Sequence, residues 1–299
     1  MTLILQGMRR SGTTIVYDAL DQDPSLSLWY EPLAAAKKPA IGGGSGSRQV
    51  DVFEDLREAR REFLSTESGC DPDILNQGAP REASVEFQRE FPEVVERYLQ
   101  FLMARPGPVA AKFTRLYAKV KAVHQLFPNA AYVQLVRDPR SVVASYLFGK
   151  NRRNEKNASP LDVFFGRRSE RTAWSSYPIS ELVRKEYADE DLPEPTDLER
   201  LLLIWRFTFE NAWTEARECY GDRAIIVRHE DYCADPRHEL ERMYTLDNRV
   251  VPDAVTAWAG ANVRLPAAIH AEGDDRWDVS LERMGVVSAL RDAGYACGV

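Results

Sequence analysis

The stretch from residue 2 to residue 20 constrains the fold more than any other. Residues 2–6 (TLILQ) form an apolar run of strand length, and residues 15–20 carry the apolar spacing of a helix. Between them lies Gly7-Met8-Arg9-Arg10-Ser11-Gly12-Thr13-Thr14. Strand, glycine-bounded loop and helix in that order make a phosphate cradle, in which backbone N–H groups and a helix N-terminus face an anion. A nucleotide-binding P-loop carries Gly-Lys before its final Ser or Thr. Here Gly12 is followed by Thr13 and Thr14, and the positive charge sits inside the loop at Arg9 and Arg10. The cradle suits a phosphate-like group but not the usual Mg-triphosphate chemistry.

Further apolar runs at 26–30, 109–113, 131–136 and 224–227 alternate with helical patterns. With the first they predict an α/β fold, a parallel sheet of about five strands with helices on both faces. Ligands of such sheets bind beyond the carboxyl ends of the strands, and the polar motifs of this chain fall there. Helices are expected over 51–63, 82–89 and 92–104, the last with Pro92 at its first position. Thr196 and Glu199 have capping-box spacing and start a helix to about Cys219; Asp235-Pro236 starts another, to about Tyr244. Residues 40–47 (AIGGGSGS) read as a flexible loop and 66–80 as loop. The polar segment 148–195 interrupts the rhythm, and the pattern beyond 245 is weak. No repeat or boundary is visible, so the expectation is one domain over 1–299, with helical lid or substrate insertions near 41–104 and 148–195.

A net charge of −7 argues against a nucleic-acid partner. Arginines nonetheless cluster at Arg9-Arg10 and Arg137/Arg140, which suits a discrete anionic ligand, while Arg152-Arg153 and Arg167-Arg168 read as solvated surface. Cys70, Cys219, Cys233 and Cys297 are widely spaced and read as reduced thiols. No metal site is expected: the histidines lack ligand spacing, and His229, Glu230 and Asp231, read as strand, alternate between faces. There is no signal-peptide pattern and no apolar run near the roughly 20 residues of a membrane span. The expectation is a cytoplasmic protein.

The second constellation is Leu135-Val136-Arg137-Asp138-Pro139-Arg140-Ser141-Val142-Val143-Ala144-Ser145. A strand ends at Val136, Asp138 can cap and Pro139 suits a first helical position. Arg137 at the strand end and Ser145 on the helix can then grip one phosphate. The alternative is an ion pair from Arg137 to a carboxylate at the helix start. Together the two constellations resemble the sulfotransferase family, whose members move the sulfuryl group of 3′-phosphoadenosine 5′-phosphosulfate (PAPS) to a hydroxyl or amine. Residues 109–115, 126–130, and 227–232 with Asp235-Pro236 resemble further family segments, with Tyr232 where Leu is usual.

The resemblance implies a P-loop-kinase-like sulfotransferase fold and PAPS as donor, with no metal. It places Arg10-Ser11-Gly12-Thr13-Thr14, beside Arg9, at the 5′-phosphosulfate, and Arg137 with Ser145 at the 3′-phosphate. Charge builds on the leaving phosphate and sulfuryl oxygens, so fixed cations and N–H donors are what the reaction needs. Arg10 and Lys112 are the cations expected to act there; Lys112 reads equally as a lysine lying beside the sheet. The histidine that some members carry two residues after that lysine is here Thr114, which cannot be the base. Glu31, in Trp29-Tyr30-Glu31-Pro32-Leu33, is the candidate base; the alternative is a structural carboxylate paired with Arg9 or Arg10. His270 is the reserve. The glycine-rich C-terminal loop of some members is not visible; Arg264 or Arg276 stands for it, and Trp205 and Trp277 read as core. The Glu31 pattern points to a sugar or natural-product alcohol as acceptor. The competing functions are a P-loop small-molecule kinase using Mg-ATP and a non-catalytic nucleotide-binding protein.

Overall fold

The apolar runs become β1 (Thr2–Gly7), β2 (Ser27–Tyr30), β3 (Val109–Phe113), β4 (Ala131–Val136) and β5 (Ala224–Arg228). They form one five-stranded, all-parallel sheet in the order β2-β3-β1-β4-β5. The computed structural model describes residues 2–36, 52–67, 69–78, 82–148, 177–265 and 275–295. The expected loop at 40–47, most of the 148–195 segment, Arg152-Arg153, Arg167-Arg168, His270 and Cys297 lie outside the described residues.

The two-residue period of a strand sorts side chains between two cores. Leu3, Leu5, Val133 and Leu135 pack on one face with α1 (Thr13–Leu20) and the helices Pro236–Thr245 and Asp253–Asn262. Ile4, Tyr132 and Val136 pack on the other with α4 (Glu93–Met103), α5 (Val120–Leu126) and the long helix Asp197–Tyr220. That helix opens on the expected capping box of Thr196 and Glu199. Trp205 and Trp277 are core residues.

Boundaries differ where side chains decide locally. The helix expected over 51–63 is α2, Glu54–Thr66, and α3 shrinks to Ala83–Glu86. Asp71 accepts from the Asp73 N–H, so the expected loop after it contains a 3-10 turn, Pro72–Leu75. Pro92 keeps an extended ψ of 142° and caps α4 rather than starting it. The weakly patterned C-terminal part forms helices Asp253–Asn262, Asp275–Arg283 and Val286–Asp292. His229, Glu230 and Asp231 do not continue β5. They open a helix, His229–Ala234, whose start is fixed by Arg228 bonding back to Asp231. Among the described residues no group of three metal-ligating side chains is assembled, and no helix is long and apolar enough to cross a membrane. Cys70, Cys219 and Cys233 are free thiols.

Candidate active site

The candidate residues come together at the carboxyl edge of the sheet. β1 runs into the loop before α1, and Gly12 caps that helix at φ 90°, the left-handed region. A Cβ on Gly12 would drive into the imidazole of His229, with Cε1 2.6 Å away. Backbone conformation and packing therefore both demand glycine there. Ser11 is buried, and its Oγ has no hydrogen-bond partner among the described residues. An orphaned hydroxyl below an open helix N-terminus fits an anion with oxygens to share.

Arg10 also has a positive φ, 80°, and its Nε donates to Ser145 Oγ at 2.7 Å. Ser145 sits in the buried face of α6 (Pro139–Phe148). Arg137, at the end of β4, donates from Nη1 to the Arg10 carbonyl at 3.3 Å, and the Trp205 indole holds the Arg137 carbonyl at 3.0 Å. The two motifs thus meet, with Arg10 between Arg137 and Ser145. The carboxylate nearest in sequence, Asp138, is held by Arg140. Arg9 is exposed at the rim. No carboxylate among the described residues bonds Arg9, Arg10 or Arg137. Burial, followed by the charges of Arg9 and Arg137, pulls the Arg10 guanidinium below its ordinary pKa. Cations crowded in this way are relieved by an anion.

Glu31 and Lys112 form the neighbouring cluster. β2 lies beside β3, not β1, with Tyr30 in register with Lys112. Glu31 consequently pairs with Lys112, Nζ to Oε1 at 2.5 Å, and not with Arg9 or Arg10 as the structural alternative had it. Thr114 donates to Oε2 from its backbone N–H at 3.2 Å and its hydroxyl at 3.1 Å. A carboxylate offers about four lone-pair sites; these bonds leave one, and the Glu31 side chain keeps 17% exposure while that of Lys112 keeps 3%. The Lys112 ammonium is buried, 4.2 Å from the Tyr30 ring centroid and turned onto Glu31. The Tyr30 hydroxyl is 3.2 Å from Thr14 Oγ1, which joins this cluster to the loop. Glu31 itself has φ 47°, a strain of order 1–3 kcal/mol for a non-glycine residue, and such strain collects at functional sites.

Sequence reasoning missed three contributors. Thr114, dismissed as a base, orients the carboxylate. Tyr30 bridges to Thr14. His229 wedges against the loop; burial, then Arg137, lowers its pKa to about 4, so it is neutral at neutral pH. Its signal was its place just past a strand end, obscured by the strand reading. Arg264 bonds the local carbonyls of Gly260 and Val263, and Arg276 is exposed. Instead Glu230 accepts from the Asp138 N–H and from the Tyr295 hydroxyl, which ties residue 295 to the start of α6.

A parallel sheet whose first strand opens into a phosphate-type loop, with cations at the ends of neighbouring strands, defines a P-loop-like α/β protein. A family model described as the sulfotransferase family matches residues 3–163, and the chain belongs to that family. Among solved structures it resembles sulfotransferase STF9 from Mycobacterium avium, at 16% identity and TM-score 0.53, covering 97% of this chain and 76% of that one. The sulfotransferase from Alicyclobacillus acidocaldarius matches at 12% identity and TM-score 0.45, covering 97% and 98%. A sulfotransferase domain from the Synechococcus PCC 7002 olefin synthase matches at 16% identity and TM-score 0.45, covering 100% and 95%. No curated protein sequence matches.

Proposed function

We propose that this chain transfers the sulfuryl group of PAPS to a hydroxyl of a small-molecule acceptor, a sugar or a natural-product alcohol. One observation carries the reading: Arg10, Arg137 and Ser145 converge beside the loop, and no described carboxylate neutralises the arginines. Ser11, Gly12, Thr13 and Thr14 would face the 5′-phosphosulfate with Arg9 at the rim, and Arg137 with Ser145 the 3′-phosphate. Arg10 and Lys112 supply fixed positive charge where the leaving phosphate oxygen and the sulfuryl oxygens gain negative charge, a role that requires no metal.

Glu31 is the proposed base. Its free lone-pair site accepts the acceptor's proton as the acceptor oxygen bonds sulfur and the bond from sulfur to the 5′-phosphate oxygen breaks. Lys112 and Thr114 keep the carboxylate aimed. The segments near 41–104 and 148–195 are proposed to cover the acceptor. The test is transfer of radiolabelled sulfuryl from PAPS to a panel of sugars and alcohols. Glu31→Gln should lower kcat by about 10²–10⁴-fold, the range of a positioned base, with PAPS affinity within a few-fold. Unchanged kcat when chemistry limits turnover would eliminate Glu31; label that never leaves PAPS beside active Mg-ATP phosphorylation would eliminate the function.

A further inference from the structure

The strained turn at Glu31 is held from outside the sheet by a buried cation. Arg60 lies mid-way along α2 and is 9% exposed. Its Nη2 donates to the Pro32 carbonyl at 2.8 Å and the Leu75 carbonyl at 3.4 Å, Nη1 to Asn76 Oδ1 at 3.1 Å, and Nε to the Tyr98 hydroxyl at 3.1 Å. The Tyr98 hydroxyl, from α4, donates to the Pro32 carbonyl at 3.3 Å. Every acceptor is neutral, and no carboxylate among the described residues bonds Arg60.

Burying a guanidinium without a counter-charge is costly, and an apolar residue of similar volume would fill the space more cheaply. What Arg60 provides is direction. Its guanidinium reaches two backbone carbonyls at once, and one belongs to Pro32, the residue just after Glu31. Glu31 is both non-glycine at φ 47° and followed by proline, a combination the free chain disfavours. The turn also relies on the Glu31 N–H bonding the Lys112 carbonyl at 2.8 Å, and the Gly78 N–H bonding that of Leu33 at 2.8 Å. The strand side fixes where the turn begins; Arg60, Tyr98 and the 75–78 segment fix where it goes.

We propose that Arg60 is a positioning residue for Glu31: by gripping the Pro32 and Leu75 carbonyls it holds the Glu31–Pro32 turn in the conformation that sets the carboxylate beside Lys112 and Thr114. The inference rests on Glu31 being the base. It also couples α2 and α4, in the segment proposed to cover the acceptor, to the group that takes the acceptor's proton.

The test compares wild type, Arg60→Met, Arg60→Lys, Tyr98→Phe and Glu31→Gln. Calorimetry with 3′,5′-adenosine bisphosphate (PAP) counts competent sites, and PAP release from PAPS with water as acceptor gives turnover per site. Hydrogen exchange reads the peptides spanning residues 31–34 and 75–78. Arg60→Met should reduce turnover per site about 10-fold or more, as small misplacements of a reacting group do, with PAP affinity within about twofold. Exchange should rise in those two peptides and not across the sheet, and Arg60→Lys should recover part of both. Turnover per site and local exchange equal to wild type would overturn the proposal, as would a rise in exchange spread evenly over the chain. Should Arg60→Met fail to fold, Tyr98→Phe is judged by the same local exchange, where no change refutes. Normal turnover in Glu31→Gln would refute the base assignment instead, and the exchange data would still decide whether Arg60 holds the turn.

Discussion

Replacing Gly12 with alanine tests the loop at the point where the structure leaves least room. Two costs arise, and they separate. Alanine at φ 90° adopts a left-handed conformation, roughly 1–2 kcal/mol. Its Cβ also collides with the His229 ring, an overpacking of roughly 1–3 kcal/mol. Gly12→Ala should then destabilise by about 2–5 kcal/mol in urea unfolding and weaken PAP in calorimetry, because the N–H groups around residue 12 shift. His229→Ala removes the ring but not the dihedral. In that background Gly12→Ala should cost only the conformational part, so the double-mutant cycle shows a coupling of about 1–3 kcal/mol. An identical cost of Gly12→Ala with and without the ring would refute the reasoning that His229 is what the loop is built around.

Arg137→Ala should weaken PAP by roughly 2–4 kcal/mol, the scale of losing a charge-assisted partner, and barely change a 5′-monophosphate, measured by calorimetry; equal losses would make the residue structural. His229 gives a pH signature. Its folded pKa, about 4, lies below the ordinary 6.5, so the unfolded chain takes up a proton first on acidification. Stability should be unaffected above about pH 7 and fall by about 3 kcal/mol as pH drops through 6.5 toward 4. In urea titrations His229→Gln should flatten that part of the slope; an unchanged slope would mean the ring is not buried neutral.

Much of this fold was legible because its signals are local. An apolar run bounded by turn residues gives β3 and β4 to the residue, and the Thr196/Glu199 box gives the start of the long helix. The loop and the Arg137–Ser145 junction were legible for the same reason. What meets across the sheet was not. Glu31 finds Lys112, 81 positions away, because β3 comes between β2 and β1, and strand order is a property of the whole chain. Arg10 reaches Ser145 across 135 positions through a loop turn that depends on its own positive φ. Arg60 carried no visible signal, being one of several charged residues in a helix of mostly polar composition, and only burial singles it out. His229 was misplaced because an apolar strand pattern does not say where its last residue turns into a helix.

The central claim is that crowded arginines, and not a metal ion, accept the phosphates of a 3′-phosphorylated donor. Titration of the protein with PAP in EDTA, followed by titration with Mg-ATP, measures this directly. Saturable binding of PAP with metal removed, and much weaker binding of Mg-ATP, are expected. Tight Mg-ATP binding with no heat from PAP would contradict it.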